Sequence, residues 1–178
     1  MDAIKIKDKQ FTLSITEETI QAAVKRVGEA INKDLADKDP IFICVLNGAF
    51  MFAGDLMKTV NIPCEITFIK LSSYVGTYST GKVHEVMGLN ESVVGRNVVV
   101  VEDIVDTGIT MEKIIASLKA KGAADIKVAT FLQKPDALKR DIAVDYVAIK
   151  IPNEFIVGYG LDYDGYGRNL KDIYTVVD

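Results

Sequence analysis

Residues 97–101 read Asn-Val-Val-Val-Val. β-Branched side chains suit a pleated, closely packed surface, and this run offers no polar face to water. It therefore describes a strand covered on both sides, as at the centre of a parallel sheet between helices. The neighbouring segments accommodate that strand. Beyond Ser14 or Thr16, the apolar residues Ile20, Ala23, Val24, Val27, Ala30, Ile31 and Leu35 recur with a helical period, and Ser14 with Glu17 has the spacing of a capping box. After Pro40, IFICVL reads as a short strand ending at Asn47-Gly48, and AFMFAGDLMKTV as a helix. EITFIKL (65–71) reads as a strand, and Ser72 to Gly88, rich in Ser, Thr, Gly and Tyr, as a long mobile loop. A helix is predicted from Met111 to Lys121, stopping near Gly122, and IKVATFL (126–132) and VDYVAIKI (144–151) supply two more strands. Such alternation predicts an α/β fold with a mainly parallel central sheet flanked by helices. With no repeat or linker in view, residues 1–178 are expected to form a single domain.

A chain of 178 residues buries roughly 70% of the surface its unfolded form exposes, so it needs no disulfide or structural metal to hold a core. Cys44 and Cys64 fit neither a redox pair nor a zinc site and are expected as reduced core thiols. A net charge of −4 argues against broad binding to nucleic acid, which needs many basic side chains at phosphates. No apolar run reaches the ~20 residues of a membrane helix, and the N-terminal MDAIKIKDKQFTLSI lacks the apolar stretch of a secretory signal. A cytoplasmic protein is expected, for which the sequon-like Asn90-Glu91-Ser92 carries no meaning.

The chemistry concentrates in VVVVEDIVDTGITM, residues 98–111. Two acids end a buried strand, Asp-Thr-Gly makes a turn, and a helix follows. Ligands of open α/β sheets bind beyond the strands' carboxyl ends, where a helix N-terminus presents N–H groups and a positive dipole end to an anion. Asp106 to Thr110 then forms a phosphate cradle: Gly108 permits a sharp turn, and Thr107 and Thr110 add hydroxyl donors. Glu102, Asp103 and Asp106 would repel a bare phosphate. They suit vicinal sugar hydroxyls instead, which points to a ribose 5-phosphate lying across the turn. The plainer alternative makes Asp106 a helix cap and Glu102 and Asp103 solvated strand-end charges.

This segment resembles the phosphoribosyl-pyrophosphate motif of type I phosphoribosyltransferases. VLNGAFMFAGDL, LSSYVGTYSTG, FLQKPD and PNEFIVGYGLDYDGYGRNL, in that order, extend the resemblance to the hypoxanthine(-guanine) phosphoribosyltransferases from about residue 10 to the end. The resemblance implies that family's fold, with a small hood formed from terminal segments. It implies transfer of the phosphoribosyl group of 5-phosphoribosyl-1-pyrophosphate to hypoxanthine or guanine, with release of pyrophosphate and with Mg²⁺, and a homodimer or homotetramer. Glu102 and Asp103 would hold the ribose hydroxyls and face the metal, Asp106 would act near purine N7, and Thr107, Gly108, Ile109 and Thr110 would bind the 5-phosphate. Lys134 would read the 6-oxo group, Phe155 would stack on the purine and Ile156 would contact its pyrimidine edge. Leu46, Asn47 and Gly48 would bind pyrophosphate with Arg168, Asp162 would serve the metal, and Ser73 and Tyr74 would open the catalytic lid. Some relatives carry Lys in place of Asn47 and of Ile109, so backbone amides, Mg²⁺ and Arg168 must do more here.

The base-pocket assignments have plainer counterparts: a solvated loop lysine for Lys134, and packed strand residues for Phe155 and Ile156. Asp164 reads as a turn acid, and His84, the single histidine, as a solvated loop residue. Two alternatives to the expected activity are a xanthine-guanine phosphoribosyltransferase and an RNA-binding regulator on the same fold.

Overall fold

The computed structural model describes residues 2–73 and 83–178, with the backbone alone described at Ser72, Ser73 and Val83–Met87. In chain order its elements are β1 (Ala3–Ile6), β2 (Lys9–Ile15), α1 (Glu17–Asp34), β3 (Ile41–Leu46), α2 (Phe50–Thr59), β4 (Glu65–Ser73), β5 (Val83–Met87), β6 (Asn97–Val105), α3 (Ile109–Ala120), β7 (Asp125–Gln133), β8 (Tyr146–Lys150), β9 (Ile156–Val157) and β10 (Ile173–Val176). The larger sheet has the order β5-β4-β3-β6-β7-β8. Its strands β4, β3, β6, β7 and β8 run parallel, and β5 pairs antiparallel with β4 at the edge.

The valine run sits at the middle of this sheet. Val99 and Val101 belong to the core packed on α1 and α2, together with Phe42 and Cys44 of β3. Val98 and Val100 face the opposite core with Ile41, Ile43 and the α3 residues Met111, Ile114 and Leu118. Alternate side chains of a strand point to opposite faces, so a strand apolar at every position is buried on both. The expected α/β architecture is therefore present.

The second sheet, β1-β2-β10-β9, is antiparallel and joins the chain's two ends to the segment following β8. Phe11, Val157 and Tyr174 form its small core. This is the hood anticipated from terminal segments. Among the described residues no helix is long and apolar enough to cross a membrane.

Several boundaries differ from expectation. Thr16, not Ser14, caps α1: its hydroxyl accepts from the Thr19 N–H at 3.4 Å. Ser14 belongs to β2 and donates to the Ile173 carbonyl at 3.1 Å, because strand pairing with β10 continues to Ile15 and removes Ser14 from helix-capping position. The helix expected from Met111 begins at Ile109, with Gly108 at its N-cap. The segment 72–88 is not all loop. Ser72 and Ser73 continue β4, and Val83–Met87 pair back on it, with Ser73 opposite Val83. His84 thus lies on β5, and Tyr74 lies outside the described residues. Of the two free thiols, Cys44 is buried but Cys64 is partly exposed, so only Cys44 is a full core thiol.

Candidate active site

The carboxyl ends of β3, β6 and β7 lead into Leu46–Gly48, Glu102–Thr110 and Lys134, and the hood segment 155–168 lies across them. Glu102, in the last part of β6, is only 8% exposed. Burial pushes its carboxyl well above the ordinary range, and the neighbouring Asp103 charge adds to the shift. Glu102 Oε1 accepts from the Asp103 N–H at 3.0 Å, and Asp103 Oδ1 from the Ile104 N–H at 2.7 Å. The other Asp103 oxygen presses on Gly48, where any Cβ would overlap it. Glycine at 48 is thus a condition for Asp103 to stand where it does. The Leu46–Asn47 peptide beside it is cis.

The turn after β6 encloses a cavity of about 90 Å³ lined by Glu102, Asp106, Thr107, Gly108 and Thr110 among others. Gly108 adopts φ 88°, a left-handed conformation that other residues enter only at a cost. No side chain caps the helix there, so the opening N–H groups of α3, which have no intrahelical partner, border a cavity of oxyanion size. Thr107 Oγ1 accepts from the Ile109 N–H at 3.4 Å. Asp106 is therefore not the helix cap, and buried Glu102 is not a solvated strand end.

A second cavity of about 220 Å³ is lined by Asp103, Ile104, Asp106, Lys134, Phe155, Ile156, Leu161 and Asp162. Lys134 Nζ stands 3.8 Å from Asp106 Oδ2, its side chain 11% exposed against 48% for Asp106. That enclosure rules out a freely solvated loop lysine. Phe155 precedes β9 and is 47% exposed. Its ring meets Tyr163 edge-on at 5.8 Å and Phe11 at 6.3 Å, which leaves part of it bordering the cavity rather than filling a core. Ile156 is buried at the cavity wall.

The hood and the β3–α2 turn touch through backbone. A Cβ on Gly160 would overlap the Gly48 carbonyl oxygen. Arg168 Nη1 donates to the Gly160 carbonyl at 2.7 Å, and its Nη2 pairs with Asp162 Oδ1 at 3.2 Å. Asp162 Oδ2 accepts from the Gly165 N–H at 2.8 Å. Asp164, one turn along, pairs with Lys7 on the hood surface and is the turn acid expected. Among the described residues, no three or more His, Cys, Asp or Glu side chains form a ready metal cage.

The geometry thus brings together the residues singled out on β6, at Lys134 and in the hood, and sets Gly48 against both Asp103 and Gly160. Asn47 is exposed, Ile109 opens α3, and Ser73 ends β4 opposite β5. Ile104 and Leu161 were not anticipated as lining residues. For Ile104 simple alternation gave no reliable signal: it packs with Val99 and Val101 while Val105 packs with Val98 and Val100, so the two-residue period of β6 is not kept to its end. Leu161 gave none, since its place depends on how the hood folds back.

Residues 14–164 match the phosphoribosyl transferase domain model. Over 156 residues the chain is 41% identical to the hypoxanthine-guanine phosphoribosyltransferase of Streptococcus thermophilus (strain CNRZ 1066), covering 87% of each. It superposes on a hypoxanthine phosphoribosyltransferase crystal structure from Staphylococcus aureus with TM-score 0.88 and 39% identity, covering 93% of this chain and 90% of that one. The Trypanosoma cruzi hypoxanthine phosphoribosyltransferase in complex with the product IMP gives TM-score 0.88 at 34% identity, covering 98% and 97%.

Proposed function

Because the chain belongs to the phosphoribosyl transferase domain family, we propose that residues 1–178 form one domain catalysing purine salvage: hypoxanthine or guanine and 5-phosphoribosyl-1-pyrophosphate are converted to the nucleotide and pyrophosphate. The observation that carries this reading is the adjoining pair of cavities, one ringed by a helix N-terminus and hydroxyls, the other holding Lys134 and Asp106 beside Phe155. A sugar phosphate fits the first and a flat, polar-edged ring the second.

In this assignment the turn Asp106–Thr110 holds the 5-phosphate through backbone N–H groups and the Thr107 and Thr110 hydroxyls. Glu102 and Asp103 accept hydrogen bonds from the ribose hydroxyls. Phe155 stacks on the base, Ile104 and Ile156 confine it, and Lys134 donates to its 6-oxo oxygen. Adenine would present an amino group to that ammonium, donor against donor, which is the basis of discrimination. Purine N9 forms the new bond to C1 of the sugar as the bond from C1 to pyrophosphate breaks. Asp106 accepts the proton leaving N7. Leu46–Gly48 and Arg168 receive the departing pyrophosphate. Ser73 and Tyr74 begin the lid that excludes water from C1.

Glu102, Asp103 and Asp162 fit a hard dication. Asp103 is pressed against Gly48 with a buried carboxyl beside it, an acidic pair that a bound cation would relieve, and Mg²⁺ commonly takes one or two protein carboxylates and fills its shell from substrate oxygens and water. When bound, Mg²⁺ would neutralise charge on the pyrophosphate. The free thiols accord with a reducing compartment, the cytoplasm. The homodimer or homotetramer in this reading is supported by Ile66 and Phe68, exposed on one face of β4.

The test is nucleotide formation with Mg²⁺, phosphoribosyl pyrophosphate and, separately, hypoxanthine, guanine, xanthine and adenine. Turnover of hypoxanthine or guanine but not adenine is expected. A preference for xanthine would reassign the base pocket, and no turnover despite sugar-pyrophosphate binding would overturn the activity.

A further inference from the structure

Tyr159 contributes to neither cavity, yet it is 2% exposed and carries a hydroxyl into the protein interior. Its backbone, with φ 46°, lies between Gly158 and Gly160 in the left-handed region, and its N–H donates to the Leu170 carbonyl at 2.8 Å. The hydroxyl donates to Asp55 Oδ2 on α2, an oxygen that also accepts from Gln21 Nε2 of α1 at 2.9 Å. The ring packs on Phe131 of β7 at 4.7 Å, which in turn meets Phe52, one turn before Asp55, at 5.6 Å.

These contacts bear on one place in the site. α2 follows directly from the Leu46–Gly48 turn. The residue after Tyr159 is Gly160, whose backbone lies against the Gly48 carbonyl and accepts from Arg168. A side chain rooted on the hood and bonded to α2 thus fixes the separation between the turn before α2 and the segment bearing Asp162 and Arg168.

Resting on the function proposed above, we infer that Tyr159, through its hydrogen bond to Asp55, is a positioning residue that holds the Gly160–Arg168 segment in register on the Leu46–Gly48 turn and so shapes the pyrophosphate subsite. It touches no substrate. Its effect falls chiefly on the sugar pyrophosphate and the released pyrophosphate, because the purine cavity takes Asp103, Ile104, Asp106 and Lys134 from β6 and beyond β7 and Phe155 and Ile156 from ahead of Tyr159, with only Leu161 and Asp162 drawn from the segment it positions.

The test compares full-length wild type with Tyr159→Phe, Asp55→Asn and the double variant, reading thermal stability, KM for phosphoribosyl pyrophosphate, inhibition by pyrophosphate and KM for hypoxanthine. Loss of a hydrogen bond to a charged acceptor should raise KM for phosphoribosyl pyrophosphate and the pyrophosphate inhibition constant about five- to tenfold in Tyr159→Phe, with KM for hypoxanthine rising about twofold at most. Asp55→Asn keeps an acceptor oxygen and should fall between, and the double variant should be no worse than Tyr159→Phe alone. A lowered Tm with unchanged kinetic constants would overturn the positioning role, as would equal rises in KM for both substrates. If Tyr159→Phe does not fold, Asp55→Asn decides on the same readouts. Absence of turnover in wild type would instead strike the proposed activity.

Discussion

Asp106 and Lys134 stand 3.8 Å apart in unlike settings, the lysine nearly enclosed and the carboxylate half exposed. An enclosed cation is a fixed donor for a base, whereas an exposed carboxylate beside it can exchange a proton with solvent. Asp106→Asn preserves shape and removes the carboxylate proposed to accept the N7 proton. It should lower kcat about 10²- to 10⁴-fold while KM for the sugar pyrophosphate changes little, and steady-state turnover near that of wild type would remove the assigned role. Lys134→Gln introduces a carbonyl able to accept from a 6-amino group. Its kcat/KM ratio for hypoxanthine over adenine should narrow, and an unchanged ratio would take Lys134 out of base recognition. Both residue types were readable from sequence, but their separation and unequal exposure were not, since 27 residues of chain lie between them.

Among the elements, the β3–α2 and β6–α3 turns depend on their glycines by opposite means. Gly108 is required by its own backbone conformation. Gly48 is required by its neighbour, because a methyl there would strike Asp103. Gly48→Ala should therefore cost activity more than stability. Displacing Asp103 by about an ångström can lower kcat/KM about a hundredfold, while the melting temperature falls only a few degrees. Parallel kinetics and thermal melts check this; full activity would show that Asp103 need not occupy its present place. The helices and central strands were legible because a 3.6-residue period, or an unbroken apolar run, is local information. The edge strand β5 was not: its five residues, Val-His-Glu-Val-Met, acquire strand structure by pairing with β4 rather than through an apolar pattern of their own.

For the molecule as a whole, two cores separated by the sheet make buried ionisable groups a source of pH-dependent stability. Burial pushes the Cys44 thiol up to about 12 from 9.0, with Glu102 and Asp103 adding to the shift. Since the folded value lies above the unfolded one, the contribution is complete below pH 9 and is lost as pH rises towards 12, where the unfolded thiol has long been ionised. Tyr146 and Tyr159, also raised chiefly by burial, act with the same sign at higher pH. Denaturant unfolding should show wild-type stability falling on the order of 1 kcal/mol per pH unit above about pH 9 from the thiol alone. Cys44→Ala should fall less steeply, and parallel pH profiles for the two proteins would refute the assignment. The sequence by itself determined the α/β alternation, the doubly buried β6 and the contiguous acid-turn-helix of residues 102–110, because each is written in neighbouring residues and their periodicity. Only the tertiary structure decided that Gly160 rests on Gly48, that Lys134 reaches Asp106 and that Tyr159 bonds Asp55. Those contacts join segments distant along the chain, and their placement follows from how the sheets and helices pack together, a sum over many weak contacts that no local segment carries.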